Sequence, residues 1–316
     1  MRYVSEAPIL WKLLNGVICV YKPQGMTSRA LRQTLIGNIA NDLNEFECRP
    51  PNNHVFSRNS SESQVVVGQS FADDPLVVGP RYLPNDVRCS WASHVGRRTS
   101  GVFVFGINKG SVLANHLRNA RPIRVYHVTG RMGIATDTYD TYGAVVERST
   151  FHHVKRTIMD RVLASIQAAH QKTMFNRMGV HMHSQAAYEL AVKGNVRPPD
   201  GKIPFIYSIK CIEFDPPDFT IEVKCVNEHE SYLKTLVHDI GMKVHSTAAC
   251  SSIRCVRYGP FSIEHALLRR HWHLQCIFDN LSLCRRILHK NRILMCDTPS
   301  SLIENDDKKL LECSKS

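Results

Sequence analysis

Apolar residues follow two different strand patterns in this chain, and that combination most constrains its fold. Residues 219–226 (FTIEVKCV) alternate between apolar and polar side chains, which is typical of a strand with one face toward water. Residues 16–21 and 101–106 are continuously apolar, as expected for strands buried on both faces. Segments with apolar residues at helical spacing lie between these runs. The sequence therefore predicts a mixed sheet with helices packed on it, and not a doubly wound parallel fold.

The remaining elements follow from the same periodicities. Thr27 or Ser28 is predicted to cap a first helix, whose apolar face consists of Leu31, Leu35, Ile36, Ile39 and Leu43. Further strands are predicted over 123–132 and 248–258, and helices over 110–119, 152–170, 184–193 and 231–241. Ser149 and Thr150 are the predicted caps of the 152–170 helix, and 133–138 is a predicted exit loop.

Three regions are predicted from composition. Residues 1–14 are expected to form a targeting or flexible segment, and the rest of the chain is long enough for one enzyme-sized domain. Residues 44–90 are rich in Pro, Asn, Ser and Asp, which predicts an insertion in that domain. Residues 266–316 are predicted to form a helical extension to about 294 with a polar tail.

The charge balance favours polyanionic partners. Forty Lys and Arg against 28 Asp and Glu give a net charge of +12, which leaves RNA, DNA and an anionic membrane surface open. No stretch of 18 apolar residues occurs, so we expect a soluble protein without a membrane span. The 11 cysteines form no C-x-x-C pair, and no nucleotide-binding glycine motif is present. We therefore expect reduced thiols, no metal and no cofactor.

Five segments carry more specific information. They are NGVICVYKPQGMTS (15–28), WASHVGRRTSGVFVFGIN (91–108), RVYHVTGRMGIATDTYDTYG (124–143), AYELAVKG (187–194) and VKCVNEHESYLKTLVHDIG (223–241). In this order they resemble motifs of the TruB family of pseudouridine synthases, including N-G-x-x-x-x-D-K-P-x-G-x-T-S, H-x-G-x-L-D-P-x-A-x-G-V-L and C-S-x-G-T-Y-I-R-x-L-x-x-D-L-G. The resemblance spans about residues 15–261, which implies a synthase-like domain over 15–265, and the chain looks most like the animal mitochondrial branch of the family.

The resemblance implies an α+β pseudouridine synthase fold, with a large, mainly antiparallel sheet and a central RNA cleft. It implies isomerisation of uridine to pseudouridine in mitochondrial RNA, with mRNA, tRNA and rRNA left open as substrates. It also suggests the mitochondrial matrix, with a cytoplasmic or nuclear location as the alternative. We expect a monomer without the small C-terminal RNA-binding barrel known as the PUA domain.

The catalytic carboxylate of the family is not found at its expected place. Counting back from Gly101, the position of the motif Asp falls on Gly96, and Lys234 stands where the motif has Arg. Asp86 is a weak substitute because it lies ten residues upstream. Two main hypotheses follow: an active synthase with a relocated carboxylate, or an inactive RNA-binding or RNA-chaperone protein. A third, weaker one is a general basic interaction module.

The resemblance also assigns roles to other residues. Tyr126 is expected to stack against the flipped uridine. The residues expected to contact RNA are Lys22, His94, Arg97, Arg98, Arg124, Asp137, Lys234 and Arg254, and Arg121 and Arg257 lie in neighbouring positions. Asp137 and Asp140 belong to the T-D-T-x-D motif, where structural or RNA-facing roles suffice.

Overall fold

The computed structural model describes residues 6–46, 53–57, 65–69, 75–193, 195–196, 203–291 and 302–303. The helices are α1 (Ala7–Leu13), α2 (Ser28–Glu45), α3 (Pro75–Val78), α4 (Gly110–Ala120), α5 (Arg156–Arg177), α6 (Gln185–Lys193), α7 (Glu230–Lys243) and α8 (Leu274–Lys290). The strands are β1 (Gly16–Lys22), β2 (Asn53–Ser57), β3 (Val65–Gln69), β4 (Cys89–Trp91), β5 (Thr99–Ile107), β6 (Arg124–Met132), β7 (Ile134–Thr136), β8 (Val145–Arg148), β9 (Asn195–Val196), β10 (Phe205–Asp215), β11 (Asp218–Val226), β12 (Ala248–Tyr258), β13 (Phe261–Ser262) and β14 (Leu302–Ile303).

The main sheet has the strand order β1-β5-β12-β6-β11-β10, with β4 added beside β5 and β13 beside β12. Only the β5–β12 pair is parallel among these described pairings. The fold is therefore α+β with a mixed, mainly antiparallel sheet, and the predicted fold class is confirmed.

The two faces of the sheet explain the two strand patterns. In β5, Val102 and Val104 belong to a core packed with α5 and α7, while Phe103 and Phe105 belong to a second core packed with α1 and α2. Burial on both faces accounts for the continuous apolar run in this strand. In β11 the apolar residues are buried and the intervening polar ones partly exposed, which confirms the predicted alternation.

The first predicted helix is also confirmed. Thr27 adopts extended backbone and its hydroxyl accepts a hydrogen bond from the Ala30 amide at 3.1 Å, as expected for an N-cap. The apolar residues predicted for its inner face are all buried. Helix α1 packs on the same core, with Ala7 and Leu14 fully buried. Residues 7–14 therefore contribute to the folded core, and a targeting role for residues 1–14 stays a prediction.

Other boundaries need correction. Helix α5 begins after Lys155, so Ser149 and Thr150 do not cap it. The Ser149 hydroxyl instead lies 2.8 Å from that of Thr247 and fixes the chain against the start of β12. Within the predicted exit loop, 134–136 form a strand paired with β8. Between 261 and 273 the chain forms a short strand and two 3₁₀ turns, and the helix starts only at Leu274.

In the segment predicted as an insertion, β2 and β3 pair with each other, and β4, at its end, pairs antiparallel with β5 of the main sheet. The predicted frayed tail after 298 and the closure of α6 by Gly194 lie outside the described residues, apart from β14. Among the helices of the described ranges, none is long and apolar enough to cross a membrane.

Candidate active site

The loop at 96–99 is held by a buried lysine at the end of β1. Lys22 has no exposed surface, and its ammonium donates to the carbonyl oxygens of Thr99 at 2.6 Å, Arg97 at 3.3 Å and Pro23 at 3.4 Å. Burial lowers the pKa of Lys22 to about 8, against the opposing effect of the Glu230 carboxylate. The first and second motif segments therefore meet through this side chain. The RNA contact predicted for Lys22 would require its ammonium to leave these carbonyls.

A carboxylate that the motif comparison did not anticipate lies against the same loop. Oε2 of Glu230 accepts hydrogen bonds from the Arg98 amide at 2.9 Å, the Thr99 amide at 3.0 Å and the Thr99 hydroxyl at 3.0 Å. Glu230 is the first residue of α7, where the helix dipole favours an anion. This end of α7 is thus fixed to the loop that contains Gly96.

Lys234, one turn further along α7, connects two carboxylates. Its ammonium lies 2.9 Å from Oδ2 of Asp140 and 3.3 Å from Oε1 of Glu230. Hydrogen bonds from Lys234, Thr138 and the Tyr142 amide outweigh burial and lower the pKa of Asp140. The two carboxylates in turn raise the pKa of Lys234. We call Lys22, Asp140, Glu230 and Lys234 the charged cluster.

Tyr126 lies in a second buried polar group, formed by Arg124 and Tyr126 of β6 and by Glu228, two residues after the end of β11. Its hydroxyl donates to Oε1 of Glu228 at 2.7 Å, and Arg124 pairs with the same oxygen at 2.8 Å. Burial, followed by the Glu228 charge, raises the pKa of Tyr126, so its phenol is protonated at neutral pH. The side chain is 3% exposed. The predicted stacking of uridine on Tyr126 therefore needs the base to reach a largely covered ring.

The other residues predicted to contact RNA are more accessible. His94, Arg97, Asp137 and Arg254 are exposed, whereas Arg98 is partly buried. The guanidinium of Arg98 lies 4.0 Å from the centre of the exposed Tyr142 ring, and that of Arg254 lies 5.7 Å from the Tyr21 ring. Arg121 and Arg257 are partly buried. Arg97 donates through Nε to the Gly25 carbonyl at 3.1 Å, which ties the two motif loops together.

Asp86, the weak substitute for the missing carboxylate, is exposed and has a local role. Its Oδ2 accepts a hydrogen bond from the Leu83 amide at 2.9 Å and closes the short 3₁₀ turn at 84–86. Sequence reasoning missed both Glu228 and Glu230. The available signal was positional: counting back from Lys234, Glu230 stands where the fifth motif has Gly.

Comparison with known proteins supports the family resemblance of the five motif segments. Residues 91–231 match the model of the TruB family pseudouridylate synthase, N-terminal domain. The chain is 35% identical over 288 residues to the protein named "Pseudouridylate synthase TRUB2, mitochondrial" of Xenopus tropicalis, covering 88% of each chain. It is also 35% identical over 275 residues to the Homo sapiens protein of that name, covering 84% of this chain and 82% of the relative.

Identity at this level over most of both chains defines the class of this protein, which is that of the pseudouridylate synthases. The chain belongs to the TruB family of pseudouridylate synthases. Among solved structures, it is similar to a chain of the archaeal box H/ACA sRNP Nop10-Cbf5 complex, with a TM-score of 0.43 and 15% identity. That match covers 90% of this chain and 60% of the other.

Proposed function

We propose that this chain binds RNA and isomerises uridine to pseudouridine within it. One observation carries the proposal: motif segments far apart in the sequence meet in the charged cluster. Lys22 and Glu230 both bond the 96–99 loop, and Lys234 joins Glu230 to Asp140. The fixed charges of such a cluster, partly open to solvent, can stabilise a charged intermediate.

The reaction needs no second reactant. The N1–C1′ bond of uridine breaks with its electron pair passing to the base, and positive charge develops at C1′. The base then turns, the C5–C1′ bond forms from the ring double bond, C5 loses its proton and N1 gains one. Atoms and electrons balance, which agrees with the expectation of no cofactor. The protein must supply an anionic oxygen near C1′ and hold the base in place.

The hypothesis of an inactive RNA-binding protein is not favoured. It depends on Gly96 in place of the motif Asp and on Lys234 in place of the motif Arg, but the Glu230 carboxylate is hydrogen-bonded to residues 98 and 99 of the same loop. An acidic oxygen is therefore present beside the motif, although it comes from another element.

RNA would be held by charges around this cluster. Arg97, Arg254 and His94 are exposed, and Arg98 stacks on the exposed Tyr142 ring. Guanidinium groups near phosphates give affinity without sequence information, and such affinity falls as salt rises. The Arg98–Tyr142 pair adds a flat surface on which an unpaired base can stack.

The relatives that carry the word mitochondrial in their names support a mitochondrial location for this chain, and we propose the matrix. The RNA would then be a mitochondrial mRNA, tRNA or rRNA, bound by a monomer. Fractionation of mitochondria with protease protection tests the location, and sedimentation at several concentrations tests the monomer.

Tritium release tests the proposed reaction directly. RNA transcribed with uridine tritiated at C5 loses the label when C5 bonds to C1′ and gives up its hydrogen. Purified protein should therefore release tritium from transcripts of organelle RNA labelled in this way. An inactive binder would retain all the tritium and still show salt-sensitive binding. No release from total mitochondrial RNA would refute the proposed function.

A further inference from the structure

The Glu230 side chain lies directly against the Cα of Gly96, where a side chain at position 96 would be placed. A Cβ built on Gly96 would lie 2.0 Å from Oε2 of Glu230, 2.5 Å from its Cδ and 2.7 Å from its Cβ. No real side chain tolerates such contacts, so a residue larger than glycine at 96 would need Glu230 to move. The Glu230 carboxylate thus fills the space into which a side chain at 96 would project.

The backbone at Gly96 does not itself require glycine. In the described ranges, the glycines with positive φ are 16, 25, 79, 101, 133, 179 and 259, and Gly96 is not among them. Steric exclusion by Glu230 therefore accounts for glycine at this position, because the local φ is open to other residues.

The sequence contains the reciprocal change. In the second motif the position of Gly96 is Asp, and in the fifth motif the position of Glu230 is Gly. Compared with the motifs, this chain lacks a carboxylate on the loop and has one at the start of the helix that faces it. The charge of the site is thereby kept, while the element that supplies it differs.

The Glu230 carboxylate is both fixed and reachable. Three hydrogen-bond donors contact Oε2 and limit its motion. Lys234 lies beside Oε1 at 3.3 Å, and 17% of the side chain remains exposed. Glu228 differs, because its side chain is 1% exposed and bound to Arg124 and Tyr126. Of these two glutamates, Glu230 is the one open to a ligand.

We propose that Glu230 supplies the catalytic carboxylate of this protein, facing C1′ of the target uridine in place of a side chain at position 96. The inference rests on the proposed function. Oε1, the oxygen without backbone donors, faces the anomeric carbon as N1 leaves and stabilises its positive charge until C5 bonds to it. Lys234 and the 98–99 amides position the group.

Substitution of Glu230 by Gln tests the assignment. Gln keeps an acceptor for the 98–99 amides but removes the charge, so the single-turnover rate of tritium release should fall by about 10²- to 10³-fold, as for loss of one electrostatic group from an active site. Glu230→Asp retains the charge at shorter reach and should keep measurable product. Melting temperature and RNA affinity are measured for each variant, because a merely structural role would change these and leave the rate of folded protein intact.

Two matched controls use other carboxylates. Glu222→Gln removes a partly exposed glutamate of β11 that lies 3.7 Å from His127, and Asp86→Ala removes the weak substitute. Both should release tritium at the wild-type rate. Equal rates for wild type and folded Glu230→Gln, or loss of activity only in Asp86→Ala, would overturn this inference alone. No product from wild type would overturn the proposed function and the inference together.

Discussion

Replacing Lys234 by Met should destabilise the protein because Asp140 and Glu230 lose the cation that they share. The ammonium lies 2.9 Å from Asp140 and 3.3 Å from Glu230, and the three side chains are 15%, 10% and 17% exposed. Removing one partner of a buried ion pair costs about 3–5 kcal/mol. Partial exposure and the two other donors to Asp140 reduce this to about 2–3 kcal/mol. At about 2–4 °C per kcal/mol, Tm should fall by about 4–12 °C.

The pH dependence of this loss has a definite sign. The folded-state pKa of Asp140 is lowered, so its contribution is present above the unfolded pKa of about 3.9 and is lost as pH falls through the folded value. The pKa of Lys234 is raised, so its contribution is lost only as pH rises beyond about 10.4. The difference between wild type and Lys234→Met should therefore be largest between these limits and shrink in acid.

Differential scanning calorimetry from pH 3 to 8 measures both effects. Lys172→Met removes an exposed lysine of α5 and serves as the control, with an expected Tm close to wild type. Lys234→Arg keeps the charge and should retain most of the stability. A Tm for Lys234→Met equal to that of the control, or a difference unchanged down to pH 3, would refute the reasoning.

Three further predictions concern buried groups. The folded pKa of Lys22 is about 8 and its unfolded value about 10.4, so the unfolded chain binds more protons between these pH values and the free energy of unfolding should rise with pH there. Urea titrations of Lys22→Met should lack this rise. An identical rise in the variant would exclude Lys22 as its source. Tyr126→Phe removes the 2.7 Å hydrogen bond to buried Glu228 and should lower the free energy of unfolding by about 1–2 kcal/mol in urea, whereas an unchanged value would show that Glu228 needs no such donor. Burial raises the pKa of Cys89, Cys250 and Cys255 to about 12, so their thiols should react slowly with an alkylating reagent at pH 8. Mass spectrometry should find these cysteines unlabelled in native protein and labelled in urea. Rapid labelling of the native protein would contradict their burial.

The sequence predicted the parts of this fold that depend on periodicity. Residues 219–226 alternate because one sheet face packs on helices and the other is partly exposed, and that pattern is local. The cap at Thr27 was predictable for the same reason, since its bond to Ala30 spans three residues. The start of α5 was missed because Ser149 bonds Thr247, almost a hundred residues away, and no local pattern records that contact.

The candidate site was only partly predictable. The segments that contain Lys22, Asp140 and Lys234 were found from their motifs, but their joining into one cluster depends on strand order. Lys22 is predicted to contact RNA because it lies in a segment of the expected cleft, and no local pattern shows that its ammonium is buried against three carbonyls. Glu230 escaped notice because its relation to Gly96 crosses 134 residues, the difference between their numbers, and exists only when α7 packs on the 96–99 loop.

Exchange of the two positions tests most directly whether the carboxylate of α7 replaces one on the loop. Tritium release would be measured for Gly96→Asp, Glu230→Gly and the double variant. We predict that Glu230→Gly is inactive, that Gly96→Asp is impaired by the clash with Glu230, and that the double variant recovers product because it returns a carboxylate to the same space. Full activity of Glu230→Gly alone, or a double variant no better than Glu230→Gly, would contradict the account.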